Sequence, residues 1–232
     1  MYNRRGFLKN LTAVTASVPF IPNQDLFDFD SKKKLFFDIS LAEWSLHKAI
    51  FAKKLDNLDF PAKAKNDFGI SIVEYVNTCF LSEGKTFKEN GKDPNYLKEL
   101  LKRCNDNGVK NHLIMCDAEG DLGHSDAKLR MQTVENHYKW IEAAKYLGCK
   151  TIRVNAAGKG TADEVGKNAA DGLAKLSEFA KTMNINVVVE NHGGYSSDGA
   201  WLAGVMKAVN MSNCGTLPDF GNFCVERKPK GG

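Results

Sequence analysis

"NVVVENHGG", residues 186–194, decides the fold. Three consecutive valines read as a strand buried on both faces, the pattern of a parallel sheet covered by helices. The run passes directly into Glu190, Asn191 and His192 and stops at Gly193 and Gly194. A buried strand that ends in a carboxylate, an amide and an imidazole fits a sheet whose carboxyl-terminal edge opens on a polar site.

Similar runs lie on either side. "LFFDIS" (35–40), "ISIVEYV" (70–76), "NHLIMC" (111–116), "TIRVN" (151–155) and "CGTLPDF" (214–220) recur with "NVVVE" every 28–41 residues. Amphipathic segments separate most of them. "DPNYLKELLKRCNDNG" begins with an Asp cap and Pro at the first helical position and stops at Asn-Gly. "SDAKLRMQTVENHYKWIEAAKYLG" ends at Gly148, and "ADEVGKNAADGLAKLSEFAKTMN" and "SDGAWLAGVMKAVNMSN" carry the same helical spacing.

Strand, helix and strand at this pitch give right-handed βαβ units and a parallel sheet. Two architectures fit: a (β/α)₈ TIM barrel and an open doubly wound sheet. No G-x-G-x-x-G follows the first strand, and "AAGKGT" (156–161) lacks the first glycine of a phosphate loop. Polar residues instead gather at the ends of all six strands. Glu43 and Trp44 follow the first, and Glu74 and Asn77 sit at the second. Asp117 and Glu119 follow the third, Arg153 and Asn155 lie on the fourth, and Asp219 and Asn222 close the sixth. In a barrel these ends meet at one mouth, which favours the barrel. Only six of eight units are read, and two more would need roughly 60–80 residues. The expected fold is therefore an α/β TIM barrel that is incomplete, with about six of eight βα units in 35–232. A chain cut short at its C-terminus is expected to be inactive by itself.

The chain has 232 residues, 43% hydrophobic and 26% charged, an ordinary globular composition. The net charge of +4 comes from scattered lysines, so no nucleic-acid partner is expected. Six cysteines form no CxxC pair and read as buried thiols. The N-terminus stands apart. In "NRRGFLKNLTAVTASVPFIP", Arg4 and Arg5 precede Phe7-Leu8-Lys9 and a weakly apolar run, which resembles a bacterial twin-arginine export signal. Residues 1–24 are assigned to that signal and 25–34 to a linker. The expectations are the Tat translocase as a partner and a periplasmic or otherwise exported location. The run is too short for a stable membrane anchor.

Glu190 and Asp219 are 29 residues apart, at the ends of adjacent strands. Neighbouring strands lie about 4.8 Å apart, so two inward carboxylates at matching height could share a divalent cation. Oxygen ligands suit Mn²⁺ or Mg²⁺, and an added imidazole opens Zn²⁺ or Co²⁺. Capping of the following helices fits the same two residues equally well.

"ISLAEWSLH", "IRVNAAG", "VVVENHGG" and "LPDFGNF", in this order and spacing, resemble the xylose isomerase-like TIM-barrel superfamily. That group holds sugar phosphate isomerases and epimerases, inosose dehydratases and endonuclease IV. The resemblance runs from about residue 35 to the end and implies that Glu190 and Asp219 bind one divalent metal ion. Two further ligands, expected from strands seven and eight, have no counterpart here. The implied reaction is isomerisation or epimerisation of a sugar, sugar phosphate or cyclitol, with Glu190 both ligand and catalytic base. The proton next to a carbonyl is removed and an enediolate forms. An inosose-dehydratase-like lyase and a non-catalytic sugar-binding protein are the alternatives.

Candidate substrate contacts are His192, Arg153, Asn155, Trp44, Glu74 and Asn222. Arg153 and Asn155 share a strand face and suit a hydroxyl, carboxylate or phosphate, although an internal ion pair explains Arg153 equally. Trp44 suits a sugar face or a plug at the barrel end. Asn222 stands where many members of the superfamily place a His, which departs from the ketose 3-epimerase pattern. Cys116-Asp117 and Asn222 also lack the histidines an AP endonuclease requires. His112 sits at the far end of its strand, and His124 and His137 read as loop and helix-surface residues. Homo-oligomerisation through open sheet edges is a further expectation.

Overall fold

The computed structural model describes residues 36–223. Six parallel strands form one sheet in the order β1-β2-β3-β4-β5-β6. They are β1 (Leu41–Ala42), β2 (Ile72–Val76), β3 (Lys110–Met115), β4 (Thr151–Val154), β5 (Asn186–Glu190) and β6 (Cys214–Leu217). Strand order equal to chain order is the winding of a (β/α) barrel; a doubly wound sheet would reverse direction at a switch point. The described residues thus hold six consecutive units of TIM-barrel type. The proposed export signal and linker, residues 1–34, lie outside the described residues. Among those described, no helix is long and apolar enough to cross a membrane.

The first strand is displaced from its expected position. "LFFDIS" gives way to Leu41–Ala42, which pair with Val73 and Glu74. Ile39 is left 55% exposed. Residues 35–40 have the propensity for a strand, but β2 takes up only the two residues that follow them.

Among the described residues, seven α-helices accompany the strands: α1 (His47–Phe51), α2 (Phe60–Phe68), α3 (Phe87–Asn90), α4 (Pro94–Asp106), α5 (Ala127–Leu147), α6 (Ala162–Thr182) and α7 (Gly199–Val209). Their ends follow local chemistry. Asp126 accepts from the backbone N–H of Lys128 and Leu129 to start α5, and Gly148 at φ 79° ends it. Thr161 and Glu164 close a reciprocal capping box on α6. Asp198 caps α7.

Strand alternation divides the sheet into two faces. Val73, Tyr75, Ile114, Cys116, Ile152, Val154, Val187 and Val189 point to the helices, where they pack with Leu100, Trp140, Ile141, Leu173 and Leu176. The inner face carries a smaller apolar cluster of Ile50, Val76, Cys79, Leu113 and Met115. Beside it lie Glu74, Arg153 and Glu190, at the inward parity of their strands. Register sets Val76, Met115, Arg153, Val188 and Gly215 in one row across β2 to β6. Each of the five described cysteines is a free thiol; four are buried as read, and Cys214 is half-buried.

Candidate active site at the strand ends

The polar site is built from residues at and just past the C-terminal ends of β3 to β6. Two asparagines shape it in the same way. Asn77, one residue beyond β2, donates from Nδ2 to the carbonyl of Asp117 (2.9 Å) and accepts from its N–H (2.9 Å). Asn191, one residue beyond β5, donates to the carbonyl of Asp219 (2.8 Å) and accepts from its N–H (2.7 Å). Both are fully buried. Each side-chain amide stands in for a peptide group and extends the parallel ladder past the strand end. This answers the amide of "ENH": Asn191 fixes where Asp219 sits.

Asp117, thus held, accepts from Arg153 Nη1 at 2.7 Å and from Asn155 Nδ2 at 2.9 Å. Arg153 is 4% exposed and also faces Glu190, with Nε 2.8 Å from Oε2. That Nε lacks an aligned hydrogen bond, so its contact with Glu190 is mainly Coulombic. Burial holds the Glu190 carboxyl above the usual carboxylate range. Arg153 and His192 pull it back, while Asp219 and Asp117 push it further up.

Register places Glu190 beside Leu217, so Asp219 lies two residues farther along than matching height would have it. The two carboxylates nevertheless converge on one amide. Asn222 Nδ2 is 3.0 Å from Asp219 Oδ2 and 3.4 Å from Glu190 Oε1. Gly221 N–H donates to the other Asp219 oxygen at 2.7 Å. This pair fits part of an oxygen-donor set for a hard divalent ion. Among the described residues, no group of three or more His, Cys, Asp or Glu surrounds it.

Arg153, Asn155, Glu190, Asp219 and Asn222 therefore share one network. His192 lies beside it, exposed, with its backbone N–H donating to Ser196 Oγ. His192 and Asn155 border a cavity of about 680 Å³ between the loops that follow β4 and β5. The loop after β4 is held against the loop after β3: Gly123 N–H donates to Ala157 O at 2.7 Å, and a Cβ on Gly158 would meet Gly123 O at 2.4 Å. Trp44 and Glu74 stand apart. Trp44 is half-exposed beyond β1 and stacks on His47 at 4.2 Å. Glu74 lies mid-strand and accepts from Ser40 Oγ at 2.6 Å.

Three residues differ from expectation, two at strand ends and one on a helix. Glu43 is fully buried and already engaged within the chain, accepting from Asn57 Nδ2 and from Val76 N–H. Glu119 turns back to the helices, where it accepts from Trp140 Nε1 (2.8 Å) and Lys139 Nζ (2.9 Å). Ala118, at φ 59°, breaks the strand alternation just before it. His137 is 2% exposed on α5 rather than on the helix surface, and burial lowers its pKa. Asp117 was placed at the mouth but not among the site residues. Its signal was parity: it follows Met115 by two, as Asp219 follows Leu217.

Solved structures that share the fold include the following three. A D-tagatose 3-epimerase-like protein is 20% identical, with 66% of this chain and 57% of that chain covered and a TM-score of 0.55. The 3-keto-D-glucoside 4-epimerase YcjR from E. coli is 16% identical, with 75% and 68% covered and a TM-score of 0.59. The IOLI protein, solved with a bound zinc atom, is 18% identical, with 81% and 64% covered and a TM-score of 0.61. This chain thus spans less than two thirds of the length of the first and third. No curated protein sequence matches. The profile of the xylose isomerase-like TIM barrel matches residues 63–229. With that match covering most of its length, the chain belongs to the xylose isomerase-like TIM-barrel family.

Proposed function

We propose that the protein is a divalent-metal-dependent isomerase or epimerase of a sugar or cyclitol. The observation that carries this is the convergence of Glu190 and Asp219 on the Asn222 amide at the strand ends. Two of the fold relatives described above are, by name, an epimerase and an epimerase-like protein, and a third was solved with zinc.

Glu190 and Asp219 would hold the ion, with Asn191 fixing Asp219 through its backbone. When bound, such an ion would polarise a substrate carbonyl and so acidify the C–H of the adjoining hydroxyl-bearing carbon. The chain's own groups do the rest. Glu190 accepts the proton from that carbon, and the enediolate that results can take a proton back on a different face or carbon. Arg153, held by Asp117, keeps positive charge beside Glu190. Asn155 and His192 border the cavity and orient substrate hydroxyls. Residues 1–24 would direct export by the Tat translocase.

The test is exchange of substrate hydrogen with solvent. The full-length protein is incubated with Mn²⁺ and a panel of ketoses in D₂O, and deuterium next to the carbonyl is read by NMR. Wild type should exchange at least one ketose, and Glu190→Gln should lose about 10²-fold or more. Equal exchange in the variant would remove Glu190 as base, and absence of exchange across the panel would favour a binding protein.

A further inference from the structure

We infer that Asp117 is a positioning residue of the metal site, which acts through Arg153 to keep one oxygen of Glu190 open to the ion. This rests on the metal reading above and adds a residue one side chain removed from the proposed ligands. The guanidinium of Arg153 is buried between two carboxylates. Its Nη1 donates to Asp117 Oδ1 at 2.7 Å, and its Nε lies 2.8 Å from Glu190 Oε2.

A guanidinium beside a carboxylate commonly forms a fork, with two parallel N–H groups on the two oxygens. Arg153 does not do this with Glu190. Its Nε is close enough for a hydrogen bond but out of line for one. The guanidinium plane is set instead at its other end, by the bond to Asp117. That carboxylate is itself anchored. Asn77 holds the Asp117 backbone through both its N–H and its carbonyl, at 2.9 Å each. Asn155 Nδ2 donates at 2.9 Å to the same Oδ1 that receives Nη1. Held in this way, Asp117 keeps the plane of Arg153 turned out of register with Glu190. The bond that matters runs from the carboxylate to Nη1, and loss of the Asn77 amide would leave it in place.

The consequence falls on the opposite oxygen of Glu190. Oε1 is 3.4 Å from Asn222 Nδ2, the amide that also meets Asp219 Oδ2 at 3.0 Å. Glu190 Oε1 and Asp219 Oδ2 thus turn toward one point, while Glu190 Oε2 stays with the arginine. Released from Asp117, the guanidinium can rotate into line and take both oxygens of Glu190. A divalent ion would then have to displace a tethered cation from the oxygen it needs. Asp117 prevents this by dividing the arginine between two acids.

The test is a double-mutant cycle on Mn²⁺ affinity, read in the full-length protein by calorimetry and by the electron paramagnetic resonance of free Mn²⁺. Asp117→Ala should weaken binding about tenfold or more. Asp117→Asn drops the charge but keeps an acceptor for Nη1, and should stay within about threefold of wild type. Arg153→Lys keeps the charge but cannot form the fork. In that background Asp117→Ala should cost less than about threefold. Should Asp117→Ala fail to fold, Asp117→Ser, with no carboxylate to hold Nη1, takes its place in the cycle. Unchanged affinity in Asp117→Ala, equal losses in the Ala and Asn variants, or the same loss in the Arg and Lys backgrounds overturns the inference and leaves the metal reading standing. Absence of Mn²⁺ binding by wild type refutes the metal reading itself, and the inference falls with it.

Discussion

Glu43 carries an unusual burden and offers a sharp test. It is fully buried, and its two hydrogen-bond donors, Asn57 Nδ2 and Val76 N–H, are both uncharged. Burial therefore dominates and raises its pKa from 4.5 to about 8. The sign follows from proton binding. Folded Glu43 keeps its proton between these two values while the unfolded chain has released it. Stability is full below about pH 4.5 and falls as pH rises to about 8. A gap of about 3.5 units at 1.36 kcal/mol each bounds the loss at about 5 kcal/mol. Glu43→Gln removes the titration. Asn57 must then turn over and Tyr96, which now donates to Asn57 Oδ1, must accept instead. That rearrangement costs about 1–2 kcal/mol at acid pH. The variant should be the less stable protein near pH 5, should match wild type near pH 6, and should exceed it by about 3 kcal/mol near pH 8. Urea unfolding of both proteins across about pH 5–9 measures the difference, and shared titrations cancel. Parallel stability curves would refute the assignment of a buried, protonated Glu43.

Asn191→Ala removes both bonds to the Asp219 backbone and should cost about 2–3 kcal/mol while weakening Mn²⁺ binding. Asn77→Ala should cost as much and leave Mn²⁺ binding nearly unchanged, and equal metal loss in both would contradict separate roles for the two amides. Arg4→Lys with Arg5→Lys should abolish export of a fused folded reporter; an undiminished periplasmic signal would discard the export reading.

The fold was legible where local pattern and long-range structure agree. The valines of β5, the Asp caps of α4, α5 and α7 and Gly148 each carry their message within a few residues. The burial of His137 runs against its surface reading, yet the sequence carries it. Thr133, Val134, His137, Trp140, Ile141 and Ala144 form one buried helical stripe, and period 3.6 places the imidazole inside it. The site was legible only in its members. Its cross-strand connections join residues 28–40 apart in sequence, as in Asn191 with Asp219 and Asn77 with Asp117. No local rule specifies such pairs. Glu119 escaped because one left-handed residue, Ala118, reversed its direction. Strand one escaped because propensity marks residues 35–40, while pairing with β2 selects Leu41–Ala42.

The central claim is that Glu190 and Asp219 hold a divalent ion at the inner mouth of the sheet. Diffraction from crystals soaked in Mn²⁺, recorded at an energy where manganese scatters anomalously, tests it directly. The account predicts one anomalous peak roughly 2.0–2.6 Å from a carboxylate oxygen of each residue, with the Asn222 amide displaced from between them. Glu190→Gln crystals should lose the peak. Mn²⁺ bound elsewhere, with Asn222 still bridging the two carboxylates, would contradict it.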